Sequence, residues 1–460
     1  MTNKIGSSNH YRILFKSAFI GALILLLLIP TYFIQNLVSE RQDRRQEAII
    51  SISNHWAASQ TITGPVIGVP YIDTAIEDGS RHKRWAYFLP AKLNIRTRLV
   101  PEKRYRGIYQ VIVYTAEMDL HAGFDGLHLQ ELGLSPADML WKEATVFLDI
   151  TDPQGLNDAL LLHLQTGANT PHSASLELTP KVSTDQFKNA FNATLPEWIS
   201  APDANGVPAQ TPLELSATIR LKGSGDLLFF PGGRETTISA SSSWSSPSFT
   251  GSMLPDVRTV KDSGFAADWK VLAINRKFPQ QWKKATYNLS DSPFGVDLFV
   301  PVDAYQQITR TVKYALLIIV LTFTAFLLIE WICHLVIHVF QYILVGFALC
   351  IFYTLLLSLS EYLGFSPAYF LAAAATIGLI AWYMGSLLHS WKLSLFVAFL
   401  LTVQYGFLYT LIQLEDYALL MGSIGLFVIL ALVMYFSRKI NWEQKSPAPE
   451  AGTLAQEFQE

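Results

Sequence analysis

Residues 314–436 read YALLIIVLTFTAFLLIEWICHLVIHVFQYILVGFALCIFYTLLLSLSEYLGFSPAYFLAAAATIGLIAWYMGSLLHSWKLSLFVAFLLTVQYGFLYTLIQLEDYALLMGSIGLFVILALVMYF. A helix in a soluble core is short and keeps one polar face. This block has almost no polar face, and its few charges stand at gaps between long apolar runs. A membrane span needs roughly 20 mostly apolar residues, and the block holds runs at 314–332, 341–360, 368–388, 393–412 and 418–436. Backbone polar groups exposed to lipid are satisfied only within helices or closed barrels. The expectation is a C-terminal five-helix transmembrane bundle, to which everything before it is attached.

Composition agrees. The chain has 460 residues, with charged residues at 15% and a mean hydropathy of +0.27. The charge is concentrated before Lys313, which fits one polar domain joined to one membrane domain. A net charge of −3 offers no basic field for nucleic acid. Both cysteines, Cys333 and Cys350, fall inside the apolar block. An exported polar domain would therefore fold without disulfides on a large core of its own.

Upstream, Lys4, Arg12 and Lys16 precede an apolar run at 17–34. A cleaved signal peptide would have a shorter core followed at once by a small-x-small site. Here the core continues to Leu37-Val38 and is followed by Ser39-Glu40-Arg41-Gln42, so the reading is an uncleaved N-terminal single α-helical anchor. Positive charge before the span holds the N-terminus in the cytoplasm. Counting loops tests this. Lys392, Arg438, Lys439 and Lys445 fall in loops or tail expected inside, and Glu361, Glu415 and Asp416 in short loops expected outside. The resulting layout is residues 1–12 cytoplasmic, 13–38 anchor, 39–311 exported mainly-β (α+β) domain, 312–437 bundle and 438–460 cytoplasmic tail. That makes six spans in all, with both termini inside.

In the exported part, residues 37–57 continue as helix, with Arg45, Ile49, Ile52 and Trp56 on one stripe. In TITGPVIGVPY (61–71), Gly64-Pro65 is expected to stop the helix before a strand at 66–71. Long strands are expected at 84–99 and 106–121, and further strands at 143–150, 213–222, 235–244 and 264–274, from β-branched and aromatic content. Ile108, Gln110, Ile112 and Tyr114 share one face, and Tyr109, Val111 and Val113 the other, as in a strand covered on both sides. Helices are expected at 152–164 and 184–192, an exposed loop at 201–211, and hairpin turns at Gly223-Ser224-Gly225-Asp226 and Pro231-Gly232-Gly233. One large sandwich and two lobes both remain open.

Nucleophile elbows, H-E-x-x-H, P-loops and dinucleotide fingerprints are absent. The serines at 239–252 have no base that the sequence nominates, so a polar, solvated strand is the plainer reading. Glu330, His334 and His338 would share one face of a continuous helix, as a metal site or proton relay would; the plainer reading is a wet cytoplasmic helix end. Gln404, mid-span, is expected to join helices rather than line a transport path. Glu361, Glu415 and Asp416 could pair with Arg310 and Lys313 and so fix the pose of the domain on the bundle. Ordinary solvated loop charge is the alternative, and acid–base chemistry a remote one. No catalytic, cofactor-binding or metal residue is nominated, and enzyme status leans to no.

Certain stretches resemble the CreD family of cell-envelope integrity proteins of the Gram-negative inner membrane. They are 37–41 with 61–71, YFLPAKLNI at 87–95, YRGIYQVIVY at 105–114, 225–229 through Trp244, and 264–269. In the block they are QYILVGFALCIFYTLLLSLSE at 341–361 and YGFLYTLIQLEDYALL at 405–420. The segment 333–340 departs from the family's pattern. The resemblance covers nearly the whole length. It implies a large periplasmic domain, a link to envelope integrity and cell-wall stress under a two-component regulator, and no catalytic residues. The expected function is non-enzymatic envelope maintenance, with the lipid bilayer and a periplasmic or envelope component as partners. A transporter or channel is the alternative, and a membrane-embedded enzyme comes third.

Overall fold

The computed structural model describes residues 5–73, 82–166, 172–187, 190–197, 212–283, 287, 289, 291–298, 304–333, 337–388, 390–414 and 417–437. The chain divides into two compact units, Arg45–Pro301 and the combination of Met1–Arg44 with Val302–Glu460.

The unit at 45–301 is a two-sheet sandwich. One sheet contains β1 (Gln60–Asp73), β2 (His82–Phe88), β5 (Thr145–Ile150), β8 (Phe191–Thr194), β10 (Asp226–Phe229), β12 (Ser248–Gly251), β15 (Gln281–Lys283) and β16 (Phe294–Asp297). Its strands run in the order β12-β16-β10-β1-β2-β15, with β5 pairing β1 and β8 pairing β5. The second contains β3 (Lys92–Arg106), β4 (Tyr109–Phe124), β6 (Leu161–Thr166), β7 (Ser173–Glu177), β9 (Leu213–Ser224), β11 (Glu235–Ser242), β13 (Val257–Lys261) and β14 (Gly264–Leu272). Its order is β13-β14-β11-β3-β4-β9-β6-β7. The period-2 pattern dictates the faces: in β3, Leu93, Ile95, Thr97 and Leu99 are buried while Lys92, Arg96 and Arg98 are exposed. One core draws Ile62, Val69 and Val146 from the first sheet and Leu93, Met118 and Ile219 from the second. The other face of the first sheet is covered by a second, aromatic core of Tyr87, Phe147, Phe187, Phe230, Phe278 and Trp282. In β4, Val111–Tyr114 are buried on both faces and the rest alternates, so the double-covered reading holds for those four residues, while Ile108 lies exposed in the turn before the strand.

Several expectations are corrected. Residues 152–164 are not a helix. Asp152 caps a single 3₁₀ turn, Pro153–Gly155, by accepting from Gln154 N at 3.1 Å. Leu162 and Leu164 then alternate with exposed neighbours in β6; an apolar run this short suits either period, and pairing with β9 decides. Among the described residues of 184–192 there is also no helix. Asn192 ties down that loop by accepting from Val182 N and donating to Val182 O and Ala190 O. The two glycine-rich turns are not hairpins, because each carries the chain from one sheet to the other, β9 to β10 and β10 to β11. At Gly225 φ is +68°, and a Cβ on Gly233 would lie 2.4 Å from Glu235 O, so neither crossing tolerates a side chain easily. The helix ends at Trp56, in line with the 37–57 reading, but Gly64-Pro65 is not what stops it: the strand already starts at Gln60, and the Gly-Pro pair marks a register shift inside it. The segment 201–211 lies outside the described residues.

The second unit is helical. α1 (Ile5–Trp56) runs through both units' residue ranges; its part up to residue 44 belongs here. The others are α2 (Ala304–Lys313), α3 (Ala315–Cys333), α4 (Val339–Leu363), α5 (Phe365–Leu388), α6 (Trp391–Gln413) and α7 (Ala418–Ser437). α2, which straddles the expected boundary at 311/312, clusters with the helices, and it meets α3 at a 44° bend. Among the described residues, four helices are long and apolar enough to cross a membrane, or five if the bent pair is one span. α1 is not an isolated anchor: Ile20, Leu23, Leu27, Thr31, Ile34 and Val38 are all buried, the 3.6-residue stripe of a packed helix. A Cβ on Gly346 of α4 would come within 2.5 Å of Leu27 Cδ1.

Candidate functional site

Among the described residues, the first sheet is covered by aromatics, whereas the outward positions of β3, β11 and β14, of β4 from Thr115 and of β9 up to Lys222 in the second are exposed or half-buried. Strand register builds this face in rows. Asp268, Ser239, Arg96, Asp119 and Thr218 lie side by side across β14, β11, β3, β4 and β9. The next row is Lys270, Thr237, Asn94, His121, Ser216, His163 and Ser175. Cross-strand neighbours stand close enough to bond. Ser239 Oγ donates to Asp268 Oδ1 at 2.6 Å, Thr218 Oγ1 to Asp119 Oδ1 at 2.8 Å and Asn94 Nδ2 to Thr237 Oγ1 at 2.9 Å. Lys270 pairs with Glu235 at 2.9 Å, and this hydrogen bond and charge hold the Glu235 carboxyl below its ordinary range. His121, His163, Gln165, Glu214 and Ser216 line a hollow of about 670 Å³. Arg96, Arg98, Glu117, Asp119 and Asp268 line another of about 380 Å³. Both signs of charge, hydroxyls and amides alternate here, which suits recognition of a polar surface. At one end, the ring of Trp56 of α1 carries two cations, Arg104 4.7 Å and Lys222 4.9 Å from its centroid, and its indole N–H donates to Tyr114 O at 3.4 Å.

Pairing of β10 with β16 brings together two carboxylates that sequence reasoning missed, Asp226 and Asp297, 71 positions apart. Tyr114 OH donates to Asp226 O at 2.7 Å and Ser59 Oγ to Asp226 Oδ2 at 3.5 Å. Burial raises both carboxyl groups, and the neighbouring Asp226 charge helps push Asp297 to about 6. No local signal marks the pair, because each sits in a short strand whose partner only the fold supplies. Among the described residues no group of three His, Cys, Asp or Glu is arranged to hold a metal ion.

In the helical unit the singled-out residues fare differently. Glu330, His334 and His338 are not on one continuous helix: α3 ends at Cys333, His338 is an exposed cap of α4, and His334 lies outside the described residues. Glu330 is not wet, being 7% exposed. Lys16 of α1 donates to its Oε1, and Tyr342 OH donates to its Oε2 at 3.0 Å. Lys16 also donates to Ile337 O at 2.6 Å. Glu361 accepts from Tyr305 OH at 3.2 Å and lies 3.8 Å from Arg41 Nε. Both partners belong to the same unit as Glu361, and Glu415 and Asp416 lie outside the described residues. Gln404 joins helices as expected: its Nε2 donates to Ile318 O at 2.7 Å and its Oε1 accepts from Thr322 Oγ1 at 3.2 Å.

A family model described as Inner membrane protein CreD matches residues 12–443. The chain is 31% identical over 427 residues to the Inner membrane protein CreD of Escherichia coli (strain K12), covering 91% of each.

Proposed function

Because the chain belongs to the CreD family of inner membrane proteins, we propose that it is a multi-pass envelope-maintenance protein whose β domain engages a periplasmic partner. In this reading α1, the bent pair α2–α3, and α4 to α7 give six spans, with both termini cytoplasmic and residues 45–301 in the periplasm. Basic residues at Lys392 and after Ser437, with acidic ones at Glu361, Glu415 and Asp416, support that orientation. The observation that carries the partner reading is the open polar face of the second sheet, with two hollows, opposite a sheet whose outer face is already covered. Polar, charge-balanced surfaces of this kind favour specific rather than sticky contacts. A transport path through Gln404 has less support, since both ends of its amide are bonded to the neighbouring helix α3.

The test places a photo-crosslinking residue at Ser216, Ser239 or, away from this face, Lys142 in cells. A discrete adduct from Ser216 and Ser239 but not from Lys142 is expected. Equal labelling from all three, or none from the two serines, would remove the support. A periplasm-active reporter fused after Tyr417 should work and one fused after Leu388 should not; the opposite pattern overturns the topology.

A further inference from the structure

The ion pairs of α1 point to a role that the apolar residues between them are unable to fill. Residues 23–29 read LILLLLI, apolar on every face. In lipid no hydrophobic force chooses which face of such a helix meets its neighbours. Turning α1 by about 100°, or sliding it one turn, would offer the bundle another aliphatic ridge of similar shape. Yet one stripe is buried, and it ends in charge on both sides: Lys16 against Glu330 and Arg41 against Glu361. Lys16 and Arg41 are 25 residues apart, about seven turns and about 37 Å along the axis, so they share a face. That span slightly exceeds the roughly 30 Å hydrocarbon core, which places each pair near an interface. Both glutamates lie on the helices α1 packs against, at the end of α3 and in the last turns of α4.

We propose that these two pairs set the register of α1, fixing both its rotation and its depth in the bundle. Both carboxylates are largely buried, at 8% and 10% exposed, whereas Arg41 is 39% exposed; an ion pair on a buried carboxylate adds little stability over apolar residues of equal size, and selecting one register is its best-attested use. Any shifted register would leave a charge unpaired in or near the bilayer, which is costly. Leu27 against Gly346 is the mid-helix landmark that reports the native setting.

The experiment uses the full chain in membranes, with Cys333→Ser and Cys350→Ala. Gly346→Cys is combined in turn with a cysteine at Leu26, Leu27 or Leu28 for rotation, and at Leu23 or Thr31 for a one-turn slip, and disulfide formation is measured. With both ion pairs intact, position 27 should crosslink and the others should fall roughly tenfold below it. With Lys16→Met, Glu330→Leu, Arg41→Leu and Glu361→Leu together, at least two other positions should rise to within about threefold of position 27. Reversing one pair, as Lys16→Glu with Glu330→Lys, should restore the single register. Crosslinking at position 27 alone in the neutralised chain overturns the proposal, as does a spread of registers in the intact or the reversed chain.

Discussion

Replacing Glu330 with leucine removes the carboxylate that receives both the Lys16 ammonium and the Tyr342 hydroxyl. The ammonium keeps Ile337 O at 2.6 Å and the Tyr342 ring, whose centroid is 5.6 Å away, but loses its counter-charge. Breaking a buried pair from one side costs about 3–5 kcal/mol. The Lys16 side chain is 19% exposed and long enough to reach towards the interface, so Glu330→Leu should cost about 2–3 kcal/mol. Lys16→Met leaves a carboxylate that is only 8% exposed with a single neutral donor, and it should cost more, about 3–4 kcal/mol. The double variant removes both charges and should unfold within about 1 kcal/mol of the parent. The double-mutant cycle therefore predicts a coupling of several kcal/mol. Equilibrium unfolding of the detergent-solubilised full chain measures it. If the single losses simply add in the double variant, the two groups are not an energetic pair and the reasoning fails.

Further expectations concern packing and charge elsewhere. Asp297 titrates near 6 in the folded chain against an ordinary 3.8. The folded state then holds more protons than the unfolded one between about pH 4 and 6, so this group's contribution to stability declines as pH rises through that window. Asp297→Asn should flatten that part of a plot of melting temperature against pH, and an unchanged slope would count against the assignment. Gly346→Val should destabilise by about 1–3 kcal/mol, because Leu27 and Phe323 already stand within 2.5 and 3.2 Å of where its Cβ would go; adding Leu27→Ala should recover part of the loss in the same unfolding assay. Trp56→Ala should cost about 2–3 kcal/mol and raise hydrogen exchange at the paired residues of β4 and β9, whereas unaltered exchange there would show that the ring beside Arg104 and Lys222 does not brace those strands.

How far the sequence could be read depended on whether a signal was local. Apolar run length depends on composition alone, so the helical block at 314–436 and the long first helix were legible, as were strands where apolar and polar residues alternate, such as β9 and β14; the run at 84–99, read as one strand, divides instead between β2 and β3 in different sheets. The run LLLHLQ around β6 was misread because six residues fit either period, and only pairing with β9 decides between them. The glycine turns were correctly placed between strands, but which sheet each strand joins is a long-range fact. Glu330 could be singled out as an ionisable group in an apolar setting, whereas its partner Lys16 lies 314 positions away. Asp226 with Asp297 and the rows of the open sheet face likewise exist only through register.

By itself, then, the sequence determined what the pieces are: a long apolar first helix, a β-rich middle and a set of membrane-length helices, because hydropathy and period are properties of neighbours in the chain. Tertiary structure decided which face of each piece is used. At residues 23–29 of α1 every face is apolar, so no pattern there marks the side that packs. Only partners hundreds of residues away, two carboxylates and one glycine, single it out.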